Sequence, residues 1–350
     1  MLVYWITYAL PALLALARLK TGRLGWFCLG SALTVIIGLR FRVGTDWANY
    51  VNLFYLPAGN STLLEAITRR DPAFFLLNWL ASHAGLGVWF VNLSVGAIFV
   101  SGLVYFVRRL PEPILAFTAA IPYAGIVVAM NYSRQAAAIG LLLFAFAHLC
   151  HRRFIKFSVF VVLASLFHQT AIVLLGLAAF VQTRNKFFSV ITATALGGAA
   201  AAIVLAERIG SLWALYVVSD YSQKSDGAIP RVAMNFLPAA VFLLLQRRLA
   251  LAPAEKTLWT AISVASVIAM GLVFIAPTAV DRAALYFTPI QFVVAAYVMQ
   301  LFKSQDRTLG RLVIICVYGF VMFVWLTYAS NASYWLPYRF WPLFEPGRLY

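Results

Sequence analysis

FIKFSVFVVLASLFHQTAIVLLGLAAFVQ, residues 154–182, is a 29-residue apolar run flanked by basic residues. How it is read decides the topology of the chain. As one helix it would carry Arg184 and Lys186 to the side opposite Arg152, Arg153 and Lys156. As two short helices turning at Phe167-His168-Gln169, it keeps both basic ends on one side and sets His168 at the far tip. Each arm, at about 1.5 Å per residue, reaches some 20 Å, short of the roughly 30 Å of hydrocarbon in a bilayer. The tip therefore belongs in a water-filled recess, where broken backbone inside a membrane finds hydrogen-bond partners. The hairpin is the reading that leaves the basic residues together.

The remaining sequence agrees with a membrane setting. It is 63% apolar and 11% charged with a mean hydropathy of +0.88, against roughly 25% charged residues in a soluble domain. The fold class expected is all-α, a polytopic integral membrane protein forming a single domain over residues 1–350. Spans are expected near 3–17, 25–39, 88–107, 113–129, 134–149, 156–167, 170–182, 187–206, 232–246, 257–275, 284–302 and 312–330, about twelve, some short or broken. The first lacks the basic n-region and small-residue cleavage site of a signal peptide. Pro122 and Pro289, inside spans, predict kinks. Cys28, Cys150 and Cys316 match neither a disulfide framework nor a metal spacing.

A net charge of +16 is the size of a nucleic-acid signal, so the placement of the cations matters. The connectors Arg18/Lys20/Arg23, Arg108/Arg109, Arg152/Arg153/Lys156, Arg184/Lys186, Arg247/Arg248/Lys256 and Lys303/Arg307/Arg311 all fall on the cytoplasmic side under one topology, as the positive-inside rule requires. Residues 40–87 then lie on the outer face with amphipathic helices. Between Ser61 and Arg70, Leu63, Leu64 and Ile67 make an apolar stripe opposite Glu65, Thr68 and Arg69. Asp71 reads as an N-cap, with Pro72 at the first helical position of a segment running to His83. By this division the inside holds 16 Lys/Arg against 3 Asp/Glu and the outside 11 against 8. Most of the excess needs no nucleic acid, and none is expected as a partner.

The outer cations are nearly all arginine: Arg40, Arg42, Arg69, Arg70, Arg134, Arg208, Arg231, Arg282, Arg339 and Arg348, with Lys224 the exception. Several stand at span ends. Arginine suits a phosphate or carboxylate ligand because its planar fork donates two parallel hydrogen bonds and keeps its charge. Asp46, His168, Asp281, Tyr286 and Tyr338 share that side. Permanent cations with a carboxylate and an imidazole suit a reaction on a lipid diphosphate. Guanidinium groups stabilise the charge on the leaving pyrophosphate, and a carboxylate or imidazole takes the proton of an incoming hydroxyl. There is no DxD, no HExxH and no carboxylate cluster for magnesium, so no cofactor or metal is expected.

RFRVGTDWANY (40–50), NYSRQAAAIGLLLFAFA (131–147), ASLFHQTAIVLL (164–175), DRAALYF (281–287) and the terminal WLPYRF (335–340) occur in an order that resembles the EpsG-like group of Wzy-type bacterial polysaccharide polymerases. The resemblance spans nearly the whole chain. It implies a GT-C-like membrane glycosyltransferase that moves a glycan from undecaprenyl diphosphate onto the next lipid-linked repeat unit at the periplasmic or outer face of the bacterial inner membrane. The partners implied are the undecaprenyl-diphosphate-linked oligosaccharide donor and acceptor and membrane lipids, with a chain-length regulator and a flippase as neighbours. The resemblance points to Arg42, Asp46, Arg134, His168 and Arg282. Thr170 stands where the family often has Ser and keeps the hydroxyl.

Catalytic roles are expected for Asp46, His168, Arg134 and Arg282, and substrate contacts for Arg40, Arg42, Tyr50, Asp281, Tyr286, Tyr338 and Arg339. Asp46 and His168 remain alternatives for the base. Each has a plainer reading. Arg42 suits snorkelling at a span end, Asp281-Arg282 a local ion pair, and Tyr338-Arg339 an interfacial belt. Arg134 is the cation that a helix N-terminus repels, which a bound anion would explain. His148 and His151 resemble a metal pair but sit beside Arg152 and Arg153, which repel a cation. An O-antigen ligase would use the same chemistry on a different acceptor. A flippase or transporter would show charge deep in several spans and a repeated half-architecture, whereas here the polar residues gather toward one face.

Overall fold

The computed structural model describes residues 1–58, 62–182, 195 and 227–343. Among them every named element is helical: α1 Leu2–Leu16, α2 Arg23–Gly38, α3 Trp47–Ala58, α4 Leu63–Thr68, α5 Pro72–His83, α6 Gly87–Val107, α7 Pro113–Asn131, α8 Ser133–Leu149, α9 Phe154–Phe167, α10 Gln169–Val181, α11 Ala228–Leu245, α12 Pro253–Leu272, α13 Pro277–Phe287, α14 Pro289–Leu301 and α15 Arg307–Tyr328. Each expected span within these residues falls on a helix. The span at 187–206, the connector Arg184/Lys186 and the outer cations Arg208, Lys224 and Arg348 lie outside the described residues.

Among the described residues, four helices are long and apolar enough to cross a bilayer, α6, α7, α11 and α15, and the bent pair α13–α14 makes a fifth. α1, α2, α8, α9 and α10 are apolar but shorter. Proline explains two irregularities. The span expected at 284–302 is two helices that start at Pro277 and bend by 43° before Pro289, because proline donates no backbone hydrogen bond and crowds the preceding turn. At Pro122 the helix widens to a π-helical stretch, Ile121–Val128, another way to absorb the missing donor.

The apolar run that opened the question is a hairpin. α9 stops at Phe167, His168 takes an extended conformation with φ −152° and ψ 104°, and α10 begins as a 3-10 helix that packs back on α9. α9 also lies along α8, and α8 along α6. The α6–α8 contact is backbone on backbone. A Cβ on Gly102 would stand 1.9 Å from the Gly140 carbonyl oxygen, and one on Gly140 would stand 2.5 Å from Phe99 Cα. Small residues let helices approach this closely where lipid supplies no hydrophobic drive, and the approach fixes the start of α8.

The segment after α15 returns to the end of α2. Phe41 N–H donates to Arg339 O at 2.9 Å, Trp341 N–H to Leu39 O at 2.8 Å and Gly44 N–H to Tyr334 O at 2.9 Å. Trp335 is buried, accepts from Tyr4 at its carbonyl and donates its indole N–H to Ile126 O. The loop 39–46 is thereby held from outside by residues almost 300 positions away.

Candidate functional site

The first turn of α8 and the residues before it organise the site. In NYSRQ, residues 131–135, each side chain reaches a different part of the chain. Asn131 Oδ1 accepts from Thr45 Oγ1 at 2.9 Å and from the Asp46 N–H at 3.1 Å. The Tyr132 ring lies 4.2 Å from the Arg282 guanidinium carbon. Ser133 Oγ accepts from Arg40 Nη2 at 3.0 Å. Arg134 Nη1 donates to Asp71 Oδ2 at 2.8 Å, and its backbone N–H to the Tyr50 hydroxyl at 3.4 Å. Gln135 Nε2 donates to the Arg282 carbonyl at 2.7 Å. α6 and α8, locked at Gly102 and Gly140, are the rigid base beneath these contacts.

Gly44 makes the junction possible. It has φ +97°, and a Cβ there would stand 2.7 Å from the Met130 carbonyl oxygen, so the loop lies directly on the end of α7. Burial pushes the Asp46 carboxyl above its ordinary pKa, against the pull of Arg282 and Arg134. Asp46 thus sits in the field of both arginines.

Asp71 stands where the sequence reading put it, but its side chain does not cap the helix. It occupies the N-cap position of α5, but with φ +60° and no side-chain cap bond. Its side chain is fully buried and its carboxylate points to the start of α8. Oδ2 takes Arg134, Oδ1 accepts the Gln169 N–H at 2.9 Å, and His168 Nδ1 lies 3.8 Å from Oδ2. Burial pushes the Asp71 carboxyl up, yet His168, Arg134 and the Gln169 N–H together hold its pKa below the ordinary carboxylate value. The Gln169 amide, turned so that its oxygen faces Arg70, accepts from Arg70 Nε at 2.8 Å and Nη2 at 3.1 Å. Thr170 Oγ1 and the Tyr286 hydroxyl are 2.8 Å apart, and the Tyr286 ring centroid is 6.4 Å from that of His168.

Arg134, His168, Asp46, Tyr50, Tyr286 and Arg282 are therefore drawn together around the start of α8. Asp281 and Arg40 take up other partners. Both Asp281 oxygens are bonded to Arg231, Nε to Oδ1 at 2.9 Å and Nη2 to Oδ2 at 2.8 Å, in a buried pair. That leaves Arg282 facing Tyr132 and Asp46 rather than its sequence neighbour. Arg40 is 1% exposed and donates to the Ile37 carbonyl as well as Ser133. Tyr338 donates to Ile36 O at 2.8 Å, and Arg339 lies in the segment paired with the 39–44 loop. Arg42, exposed with φ +52°, lines a cavity of about 330 Å³ with Gly44, Thr45, Trp47, Asn52 and Tyr334. A second, mainly apolar cavity of about 430 Å³ is lined by Tyr123, Arg231, Met234, Phe320 and Trp325.

Sequence reading missed Asp71, Asn131, Tyr132, Gln135 and Gln169. Four of them lie within three residues of Arg134 or His168 in the chain, which is the signal that could have found them. For Asp71 the signal was scarcity, since the chain has only 11 acidic residues and each one near an arginine cluster is a candidate counter-charge.

A family model described as the EpsG family matches residues 23–340, a stretch that contains every site residue above. No curated protein and no solved structure matches the chain.

Proposed function

Because the chain belongs to the EpsG family, we propose that it is a membrane-embedded polysaccharide polymerase that joins undecaprenyl-diphosphate-linked oligosaccharide repeat units. In this reading the protein is GT-C-like with about twelve spans, lies in the bacterial inner membrane, and carries its site on the periplasmic face. A flippase supplies its substrate, and a chain-length regulator acts beside it.

The observation that carries the reading is the gathering of Arg134 and Arg282 with Asp46 and His168 at the start of α8. Two permanent cations in a poorly hydrated site suit a departing diphosphate, whose charge grows as its bond to the sugar breaks. The Arg282 guanidinium faces an aromatic ring and a carboxylate in whose field it lies, so it is available to a new anion. The acceptor hydroxyl loses its proton to Asp46 or His168 as its oxygen bonds to the donor sugar carbon. The electron pair of the broken bond leaves on the diphosphate. The arginines do the work that a divalent metal does elsewhere, and the reaction proceeds without one.

Purified protein given a defined undecaprenyl-diphosphate repeat unit in EDTA should convert it to a ladder of longer glycans. No ladder with the cognate unit refutes the proposal. Transfer to a lipid A core instead of a second repeat unit makes the protein a ligase, and movement of an unaltered substrate across liposomes makes it a flippase.

A further inference from the structure

Two side-chain nitrogens converge on one oxygen. Arg134 Nη1 holds Asp71 Oδ2 at 2.8 Å, and His168 Nδ1 stands 3.8 Å from the same oxygen, too far for a hydrogen bond. The other oxygen, Oδ1, is taken by the Gln169 N–H. His168 Nδ1 and Arg134 Nε are both buried without a hydrogen-bond partner, a state that costs free energy unless something completes it. Arg134 keeps 30% of its side chain exposed, whereas the Asp71 side chain has none. The arginine can therefore meet an incoming ligand and the carboxylate cannot.

Building on the polymerase reading, we infer that Asp71 is a positioning residue that passes from Arg134 to His168 when the lipid diphosphate binds. Before binding, Asp71 serves as a stand-in anion for Arg134. A diphosphate offers the guanidinium more charge and more acceptor oxygens than one shared carboxylate oxygen does, and draws it outward. Oδ2 is then released to the Nδ1–H of His168, a movement of about 1 Å from 3.8 Å to hydrogen-bond length. The imidazole becomes fixed with Nδ1 protonated and the Nε2 lone pair free. Nε2 takes the acceptor's hydroxyl proton as the new glycosidic bond forms and the diphosphate leaves with the electron pair of the old one. His168 is thus the base, and it is aligned only when the donor is seated. Asp46, in the field of Arg282 and Arg134, belongs to the cationic side of the site. Tyr286 lies across the His168 ring, and Arg70 is bonded to the side chain of the neighbouring Gln169.

The test uses the full chain. Asp71→Asn keeps the size of the side chain and removes its charge. It should lower kcat about a hundredfold with donor KM unchanged or lowered. Binding of undecaprenyl diphosphate alone should be retained or tightened, since Arg134 no longer has a competing carboxylate. Asp71→Asn/His168→Ala should be no slower than His168→Ala, because the two act as a unit. A merely structural Asp71 would instead lose binding and turnover together, and that result, an unchanged kcat, or additive losses would overturn the inference. The relay can also be read in the unmutated protein, independently of whether the variants fold. With ¹⁵N-labelled histidines, undecaprenyl diphosphate should move the Nδ1–H proton of His168 downfield, and a spectrum that does not change overturns the relay. Failure of the wild-type protein to elongate glycans strikes the polymerase reading, whereas the NMR response tests the relay on its own.

Discussion

Gly44→Ala should disable the site by lifting one loop. Two costs combine. An L-residue in the left-handed region loses about 1–2 kcal/mol, and Gly44 has φ +97°. The new Cβ would also stand 2.7 Å from the Met130 carbonyl oxygen and 3.1 Å from Asn131 Oδ1. The first of these is backbone at the end of a transmembrane helix and has little freedom to retreat. Lifting the loop breaks the Thr45 and Asp46 bonds to Asn131, at about 1 kcal/mol each. The sum is about 3–4 kcal/mol, of which the last part is lost from the geometry of Asp46. Gly85→Ala is the control: it has φ +66° but nothing within 4 Å of the added carbon, so it carries the conformational strain alone. Melting temperature in detergent and glycan elongation should both fall for Gly44→Ala, while Gly85→Ala should lose a little stability and keep its activity. Equal effects of the two substitutions, or normal elongation by Gly44→Ala, would refute the close approach as the reason for glycine.

Arg282→Gln removes the charge that faces Tyr132 and Asp46, and elongation should fall about 10²-fold or more with little change in melting temperature. Arg231→Met leaves Asp281 buried without its partner and should cost about 3–5 kcal/mol, whereas Arg231→Met/Asp281→Leu should recover most of it; a double variant no more stable than the single one contradicts the pairing. Acid melts should separate Asp71 from Asp46. The Asp71 pKa is lowered in the fold, so its contribution is complete above the ordinary value of 3.8 and is lost as pH falls through the lower folded value. The Asp46 pKa is raised, so its contribution has the opposite sign: it is present below 3.8 and is lost as pH rises through the higher folded value. Asp71→Asn should therefore flatten the acid loss of stability and Asp46→Asn the acid gain.

The helices were legible because the signals that set them are local. Apolar runs, basic ends and prolines gave the helices, the turn at His168 and the bend at Pro289; the capping box of Thr62 and Glu65 that starts α4 is a further local signal, which the sequence reading passed over. Arg134 was legible because a cation at a helix N-terminus is unfavourable without a counter-charge. Its counter-charge was not, since Asp71 lies 63 residues away in sequence and Asp-Pro has an ordinary local explanation. The same holds for Asp281, whose adjacent arginine suggested a pair that the helix geometry does not make. Side chains one position apart point about 100° apart around a helix, so Asp281 turns to Arg231 on α11 and Arg282 turns to Tyr132. Arg40 and Arg42 read alike in sequence. Only the fold separates the one enclosed against Ser133 from the one beside an open cavity.

The backbone bonds from Tyr334, Arg339 and Trp341 to the 39–44 loop have a consequence for biogenesis. Asp46 is synthesised early, yet the loop that carries it is not clamped until residue 341 has left the ribosome. A nascent chain can thread its first helices into the membrane while the loop at Asp46 is still unclamped. The closed junction arrives late, as a property of the inserted whole.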